Sequence, residues 1–224
     1  MDRPKAKIWL TLVLFSVVAG FALFLVAGTL DYWQAWLYLA IGALSSVPAI
    51  LSITRDPILL EGRSKTGPAA ETRTIQKIIV LWCGIAAVAA LIVPALDRRF
   101  GWSNMPWWLS IVGEMLIIAA MWMVLRVFQE NSYGASTVAI AQNQTVISTG
   151  PYRIVRNPMY TSAAVYFIGV SLALGSYWGL VAAVLTILGL VWRLLDEEKF
   201  LAQNLPGYGE YCARVRWHLI PGVF

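Results

Sequence analysis

Six stretches of the chain are almost entirely apolar, and polar or charged residues are concentrated in the segments between them. The stretches cover residues 8–28, 34–53, 76–96, 107–128, 159–175 and 178–195. An α-helix needs about 20 residues to cross the roughly 30 Å of hydrocarbon in a bilayer, so these lengths predict about six membrane-spanning helices. The last two stretches are shorter, and the turn residues around Ser176 separate them, which predicts a short helical hairpin.

This pattern predicts an all-α integral membrane protein. The composition agrees, because 59% of the 224 residues are apolar and 13% are charged, whereas a soluble domain carries about 25% charged residues. A chain of this length forms one domain, in which residues 1–54 supply two N-terminal spans. The first stretch is too long for a signal-peptide core and no small-residue cleavage site follows it, so we expect it to be retained.

The basic residues are distributed unevenly between the two sides of the predicted bundle. Six spans place 15 of the 17 Lys and Arg residues on one side and leave only Arg98 and Arg99 on the other. Positive charge collects on the cytoplasmic side of membrane proteins, so we expect both termini and both long loops to lie in the cytosol. The net charge of +5 therefore reflects topology and suits anionic lipid headgroups. Nothing in the sequence indicates nucleic-acid binding.

The cysteine and histidine content argues against a metal centre. The chain contains Cys83, Cys212 and the single histidine His218. The two cysteines do not form a closely spaced pair, and no set of zinc or iron ligands is available. We therefore expect neither a metal site nor a disulfide framework.

Two long polar segments lie on the predicted cytoplasmic side. The first, residues 54–75, predicts a short interfacial helix around Pro57 to Arg63 within a solvated connector, with basic side chains reaching toward the headgroups. The second, residues 129–158, is rich in Asn, Gln, Ser and Thr and ends in TGPYRIVRNPMY, residues 149–160.

The turns of the second segment predict a constrained loop. Gly150-Pro151 marks one turn, and Asn157-Pro158 marks another, with the second proline suited to the first turn of the next helix. Tyr152, Arg153 and Arg156 are therefore held at a helix N-terminus. Its free N–H groups and partial positive charge favour a carboxylate or a phosphate.

Charged residues also occur within or beside the apolar stretches. Arg193 and Glu197 lie four positions apart on one helical face, next to Glu198; they form either a surface ion pair or part of a functional site. Glu114 lies inside the fourth stretch. Carboxylates within membranes are costly, and we interpret this one as a group that hydrogen-bonds between helices.

The ordered motifs GPYRIVRNPMY, RLLDEEKFL and PGYGEYCARVRWHLIP resemble those of the isoprenylcysteine carboxyl methyltransferases, a group related to the phospholipid N-methyltransferases. The upstream pieces DPILLEGR and LDRRFGWS are similar to bacterial and archaeal members. The resemblance covers residues 55–224, which we take as the methyltransferase core. It implies an integral-membrane enzyme of a prokaryotic inner membrane that uses S-adenosylmethionine and releases S-adenosylhomocysteine.

The resemblance also implies a cytosolic cofactor pocket formed by the loop before the hairpin, the acidic pair and the C-terminal tail. The implied cofactor-binding residues are Gly150, Tyr152, Val155, Arg156, Asn157, Pro158, Tyr160, Glu197, Glu198, Tyr208 and Tyr211. Catalytic roles fall to Arg193, Glu197 and Asn131, with Arg193 orienting an anionic acceptor and Glu197 serving as the base for an amine or a thiol.

One position departs from the family pattern, because the chain has Asn157 where the family usually has His. An amide can hydrogen-bond to a carboxylate, but it cannot accept and release a proton near neutral pH. We therefore exclude a catalytic base at this position, and the change raises the alternative of a family fold that has lost its activity.

The preferred acceptor is lipophilic or membrane-associated, of the isoprenylcysteine carboxylate type that the resemblance implies. A phospholipid amine and a small thiol are alternatives within the same chemistry. A transporter or a scaffold is an alternative without chemistry, although a transporter is expected to show internal repeats or helices broken at the midplane.

Overall fold

The computed structural model describes residues 3–64, 66–138 and 144–224, with only the backbone of residues 3 and 4. Lys65, which contributes to the charge asymmetry, and residues 139–143 of the second polar segment lie outside the described residues. The described residues form α-helices and short 3₁₀ turns, without β-strands. The helices are α1 (Arg3–Ala27), α2 (Trp33–Arg55), α3 (Pro57–Ser64), α4 (Thr74–Phe100), α5 (Trp107–Glu130), α6 (Pro158–Ala173), α7 (Tyr177–Asn204) and α8 (Tyr208–Arg214).

Each of the six apolar stretches lies within a helix or ends one or two residues beyond it, which confirms the predicted all-α membrane fold. Among the described residues, five helices are long and apolar enough to cross a bilayer, namely α1, α2, α4, α5 and α7. Helix α6 is apolar but has 16 residues, a length of about 24 Å at 1.5 Å per residue. The prediction that both hairpin helices are short is wrong for α7, which has 28 residues because the helix continues through the polar DEEKFLAQN segment.

The turn between α6 and α7 is fixed by backbone geometry and by one buried carboxylate. Gly175 has a φ of 73°, a left-handed conformation that glycine adopts readily. The Ser176 hydroxyl caps α7 by accepting a hydrogen bond from the Gly179 N–H at 2.9 Å, and it donates to Asp97. Asp97 also accepts two hydrogen bonds of 2.6 Å from Ser103, so it ties the end of α4 to the hairpin.

Helices α5 and α6 approach closely through small residues. A Cβ atom added at Gly113 would lie 2.2 Å from the Ala173 nitrogen, and one added at Gly169 would lie 3.0 Å from the Gly113 carbonyl oxygen. Such small residues allow helix backbones to pack directly against each other within membranes. The outer surface is apolar, as shown by Phe21 and Leu25, which are 73% and 76% exposed. This surface matches a lipid environment.

The end of the bundle that carries the polar segments contains a capped short helix and a long-range ion pair. The helix predicted around Pro57 to Arg63 is present as α3, and Asp56 caps it by accepting from the Ile58 and Leu59 N–H groups at 2.9 and 3.2 Å. Arg73, just before α4, makes a two-pronged ion pair with Asp196 on α7 at 2.7 and 2.9 Å. The ion pair joins the start of α4 to α7 at this end of the bundle.

The interpretation of Glu114 as an interhelical hydrogen-bonding residue is wrong for the described residues. Glu114 is 2% exposed, and neither of its carboxyl oxygens has a hydrogen-bond partner there. The Gln34 side-chain oxygen and the Ser110 hydroxyl are buried without partners in the same way. The interior between α2 and α5 therefore contains polar atoms that the described protein groups do not satisfy.

Candidate functional site

The constrained loop and the C-terminal tail pair through their backbones. Gly150–Arg153 forms a 3₁₀ turn, and the chain then runs beside the tail that follows α8. The Arg156 N–H donates to the Trp217 carbonyl at 2.8 Å, and the Asn157 N–H donates to the His218 carbonyl at 3.1 Å. The start of α6 is thereby fixed against the tail, with Pro158 at its first position.

Glu198 on α7 closes this arrangement with its side chain. Its carboxylate lies 3.2 Å from the Arg156 guanidinium and 2.9 Å from the His218 ring, and it accepts a hydrogen bond from the Asn157 amide. The Arg156 guanidinium also contacts the other ring nitrogen of His218 at 2.7 Å. The loop and the acidic pair therefore meet. Glu198 joins them by binding Arg156, Asn157 and His218.

A second polar network surrounds Glu197. The Tyr160 hydroxyl donates to the Glu197 carboxylate at 2.5 Å and accepts from Arg193 at 3.2 Å. Arg193 also donates to Glu71 at 2.8 Å and to the Ser136 carbonyl at 2.7 Å. The surface ion pair between Arg193 and Glu197 is not formed among the described residues, because the partner of Arg193 is Glu71 and the Tyr160 hydroxyl separates the two α7 side chains.

These networks border a cavity of about 520 Å³. It lies between the loop, the tail and the polar ends of α3 to α7. Its lining includes ten of the residues selected from the sequence, which are Asn131, Tyr152, Arg156, Asn157, Pro158, Tyr160, Arg193, Glu197, Tyr208 and Tyr211. The structure thus brings together residues from three distant parts of the chain around one volume.

Three of the selected residues do not line the cavity. Gly150 packs against Glu130, and a Cβ atom there would lie 2.5 Å from the Glu130 side chain. Val155 is buried at 5% exposure, and Glu198 lies behind Arg156 and Asn157. Each supports the loop that borders the cavity.

The lining changes in character from one side to the other. Near the tail it carries the rings of Tyr208 and Tyr211 beside Arg156 and Asn157. Toward the bundle it becomes apolar, with side chains from α4, α5 and α7 that include Val80, Cys83, Met121, Val124 and Leu190. A molecule with a polar end and a hydrocarbon end fits this gradient.

Sequence reasoning missed Arg63 and Glu71. Arg63 lines the cavity, and its Nε atom is buried without a hydrogen-bond partner among the described residues. Glu71 is 4% exposed and joins Arg193 to the loop by also accepting from the Val138 N–H at 3.2 Å. Both belong to the segment interpreted as a solvated connector, and that interpretation is wrong for these two residues. The motif DPILLEGR was the available signal for Arg63.

Burial raises the pKa of the phenols that line the cavity near the loop and α8. It raises the pKa of Tyr152 to about 12, and it raises the pKa of Tyr208 and Tyr211. These phenols therefore remain protonated hydrogen-bond donors at neutral pH. The Tyr152 hydroxyl accepts from the Asn131 amide at 2.8 Å, which holds Asn131 against the loop.

Fold and cavity define an all-helical integral membrane protein with a polar-to-apolar cavity at the charged end of its bundle. The model of the phospholipid methyltransferase family matches residues 108–207. Over this stretch, from α5 to just beyond the end of α7, the chain is similar to that family of integral-membrane methyltransferases, to which the isoprenylcysteine carboxyl methyltransferases are related. This confirms the resemblance at the level of the wider group. A search of curated proteins found no match. No group of three or more metal-ligating side chains occurs among the described residues.

Proposed function

We propose that this protein transfers a methyl group from S-adenosylmethionine to a lipophilic, membrane-associated acceptor within the cavity. The observation that carries the proposal is the graded lining, in which charged and phenolic groups face the tail and hydrocarbon faces the bundle. A polar donor from the aqueous side and a hydrocarbon-bearing acceptor from the bilayer would then meet in one place. A carboxylate of the isoprenylcysteine type is the acceptor that the sequence motifs favour.

The residues on the tail side fit the donor. A volume of about 520 Å³ lies within the roughly 300–1,000 Å³ of small-molecule sites. Arg156 lines the cavity, so its guanidinium can bind a carboxylate there. Aromatic rings at Tyr208 and Tyr211 can face a cation.

The chemistry needs alignment more than activation. When bound, S-adenosylmethionine supplies a methyl group that its positively charged sulfur has already activated. Glu197, oriented by the Tyr160 hydroxyl, places a carboxylate where it attracts the positive charge of the donor. Arg193, held by Glu71 and Ser136, points into the same volume and orients an anionic acceptor. The surrounding hydrocarbon excludes water from the reacting groups.

The first test measures donor-product binding in detergent. S-adenosylhomocysteine at 100 times its dissociation constant stabilises a protein by about 2.7 kcal/mol, a shift of roughly 5–10 °C in Tm for a chain of this size. We expect Glu197→Ala to abolish the shift. Glu210→Ala removes an exposed acid from α8 and is the matched control, which should retain the shift.

The second test measures the transfer itself. Purified protein is incubated with donor carrying a labelled methyl group and with extracted membrane lipids, and the labelled product is identified. We expect the label in a lipophilic product. The proposal is rejected when the unmutated protein shows neither a thermal shift nor labelled product.

A further inference from the structure

Arg63 is a cavity-lining cation without an ion-pair partner among the described residues. Its guanidinium carbon lies 4.7 Å from the centre of the Phe128 ring, and its Nε atom is buried without a hydrogen bond. Burial lowers the pKa of Arg63 to about 10, so the side chain still carries its charge at neutral pH. Arg63 as a whole is partly exposed, but a charge that has lost most of its water is costly unless something compensates it.

In the described part of the chain, the neighbouring arginines, unlike Arg63, each form an ion pair with a glutamate. Arg193 pairs with Glu71 at 2.8 Å, and Arg156 pairs with Glu198 at 3.2 Å. Glu197 lies close enough to favour the charged form of Arg63, but it accepts from the Tyr160 hydroxyl and forms no ion pair with Arg63. The charge of Arg63 is therefore available to a molecule in the cavity.

The surroundings of Arg63 indicate what kind of molecule this is. Leu59 and Phe128 form a buried cluster with the partly buried Met121 and Val124, and the last two side chains also line the cavity. Hydrocarbon thus lies directly beside the guanidinium. Arg156 and the tail tyrosines, to which the proposed function assigns the donor, line the same cavity.

We propose that Arg63 binds the anionic group of an amphiphilic methyl acceptor whose hydrocarbon chain lies along Phe128, Met121 and Val124. The anion is a carboxylate or a phosphate, since a guanidinium binds both through paired hydrogen bonds. This proposal deepens the proposed function and rests on it. A carboxylate would itself be the methylated group, whereas a phosphate would hold a nearby nucleophile in place.

The test compares the binding of three amphiphiles to purified protein in detergent. The probes are N-acetyl-S-farnesylcysteine, its uncharged methyl ester and a lysophosphatidic acid, which carry a carboxylate, no charge and a phosphate. We expect the unmutated protein to bind at least one anion more than tenfold more tightly than the ester, and the preferred anion identifies the source. Arg63→Gln should remove this preference, and Arg63→Lys should retain part of it.

Two controls separate this proposal from folding defects and from the donor site. Arg55→Gln removes a charge from an exposed arginine at the end of α2 and should leave the preference unchanged. The thermal shift with S-adenosylhomocysteine should be the same in Arg63→Gln as in the unmutated protein, which shows an intact fold and donor site. The proposal is overturned if the unmutated protein shows no anion preference or if the preference survives Arg63→Gln. It is also overturned if Arg63→Gln loses only the binding of S-adenosylhomocysteine. A missing shift in the unmutated protein instead counts against the proposed function.

Discussion

The Tyr160 hydroxyl lies between the two charged residues to which the transfer is assigned. It donates to Glu197 and accepts from Arg193, so one oxygen atom sets the relative position of both side chains. The tyrosine is on α6, whereas the two charged residues are one helical turn apart on α7. The geometry therefore depends on packing between helices as well as on the i, i+4 spacing within α7.

Tyr160→Phe should lower methyl transfer without unfolding the protein. Hydrogen bonds to charged groups contribute about 1.5–3 kcal/mol, which corresponds to a loss of roughly 10- to 150-fold in kcat/KM. Labelled methyl transfer is the measurement, with the detergent Tm as the check on folding. Tyr177→Phe removes the hydroxyl of an exposed tyrosine at the opposite end of the bundle and should retain full activity. Equal activity in the two variants would show that the hydroxyl has no part in the transfer.

Glu114 is a buried acidic residue within a membrane-spanning helix. Its carboxyl group is buried inside α5, and no described protein group donates a hydrogen bond to it. A polar group buried without a hydrogen bond costs about 1–3 kcal/mol in proteins. The fold therefore contains a local cost at this residue.

Glu114→Leu should raise the detergent Tm, because it replaces an unsatisfied carboxyl group with a side chain of similar size. The expected gain is about 1–3 kcal/mol in the free energy of unfolding. Met115→Leu, at the neighbouring position that is 63% exposed, is the control and should change stability little. A clear loss of stability in Glu114→Leu would reveal that the carboxyl group has a stabilising partner, such as a bound water.

The C-terminal tail packs against the loop that borders the cavity and is hydrogen-bonded to it. Two backbone hydrogen bonds join it to residues 156 and 157, and the Thr161 hydroxyl donates to the Leu219 carbonyl at 2.9 Å. Glu198 connects this pair to α7 through Arg156 and His218. The tail, the loop and α7 should therefore loosen together.

Glu198→Ala should destabilise the protein, because it leaves the Arg156 guanidinium without its acid. Removing one partner of a buried ion pair costs about 3–5 kcal/mol. A double-mutant cycle with His218→Ala, measured by thermal unfolding in detergent, should give a coupling energy above about 0.5 kcal/mol, since groups in direct contact are not additive. Additive effects would mean that Glu198 and His218 act independently.

The elements that the sequence predicted well are those with a local signal. Apolar length predicted the helices, and the Gly and Pro pairs predicted the turns around the loop at 149–160. The C-terminal extension of α7 was missed because its exposed face is charged, and the hydrophobic pattern that marks a span ends before the helix does. A helix that extends beyond the bilayer can carry polar residues on its exposed face, so it need not be apolar on all sides.

Contacts between distant parts of the chain were the least predictable feature of the site. Glu71 and Arg193 are 122 positions apart, and no spacing rule connects an acid in a polar loop with a base on a later helix. The same holds for Arg73 and Asp196, which are 123 positions apart. The family resemblance supplied the loop, the acids and the tail, but it did not supply the partners that hold them.

The arrangement of the whole molecule bears on how donor and acceptor reach the cavity. Lys7 of α1 donates to the Ser64 carbonyl at the end of α3 at 3.1 Å, so the N-terminal helix begins at the end of the bundle that holds the site. The tail lies at this same end, through its pairing with the loop. Arg98 and Arg99 lie at the opposite end, where Arg98 donates to the Asp31 carbonyl at 2.8 Å.

We predict that the site end faces the cytosol, because it carries nearly all the basic residues and S-adenosylmethionine is a polar donor from the aqueous side. In a bacterial host, green fluorescent protein fused after Phe224 should fluoresce, and alkaline phosphatase fused at the same point should be inactive. Alkaline phosphatase fused after Gly101, with the later spans removed, should be active because that turn would face the other side. The reverse pattern would place the cavity outside the cytosol, where a donor made inside the cell could not enter it. It would therefore contradict both the predicted topology and the proposed direction of donor entry.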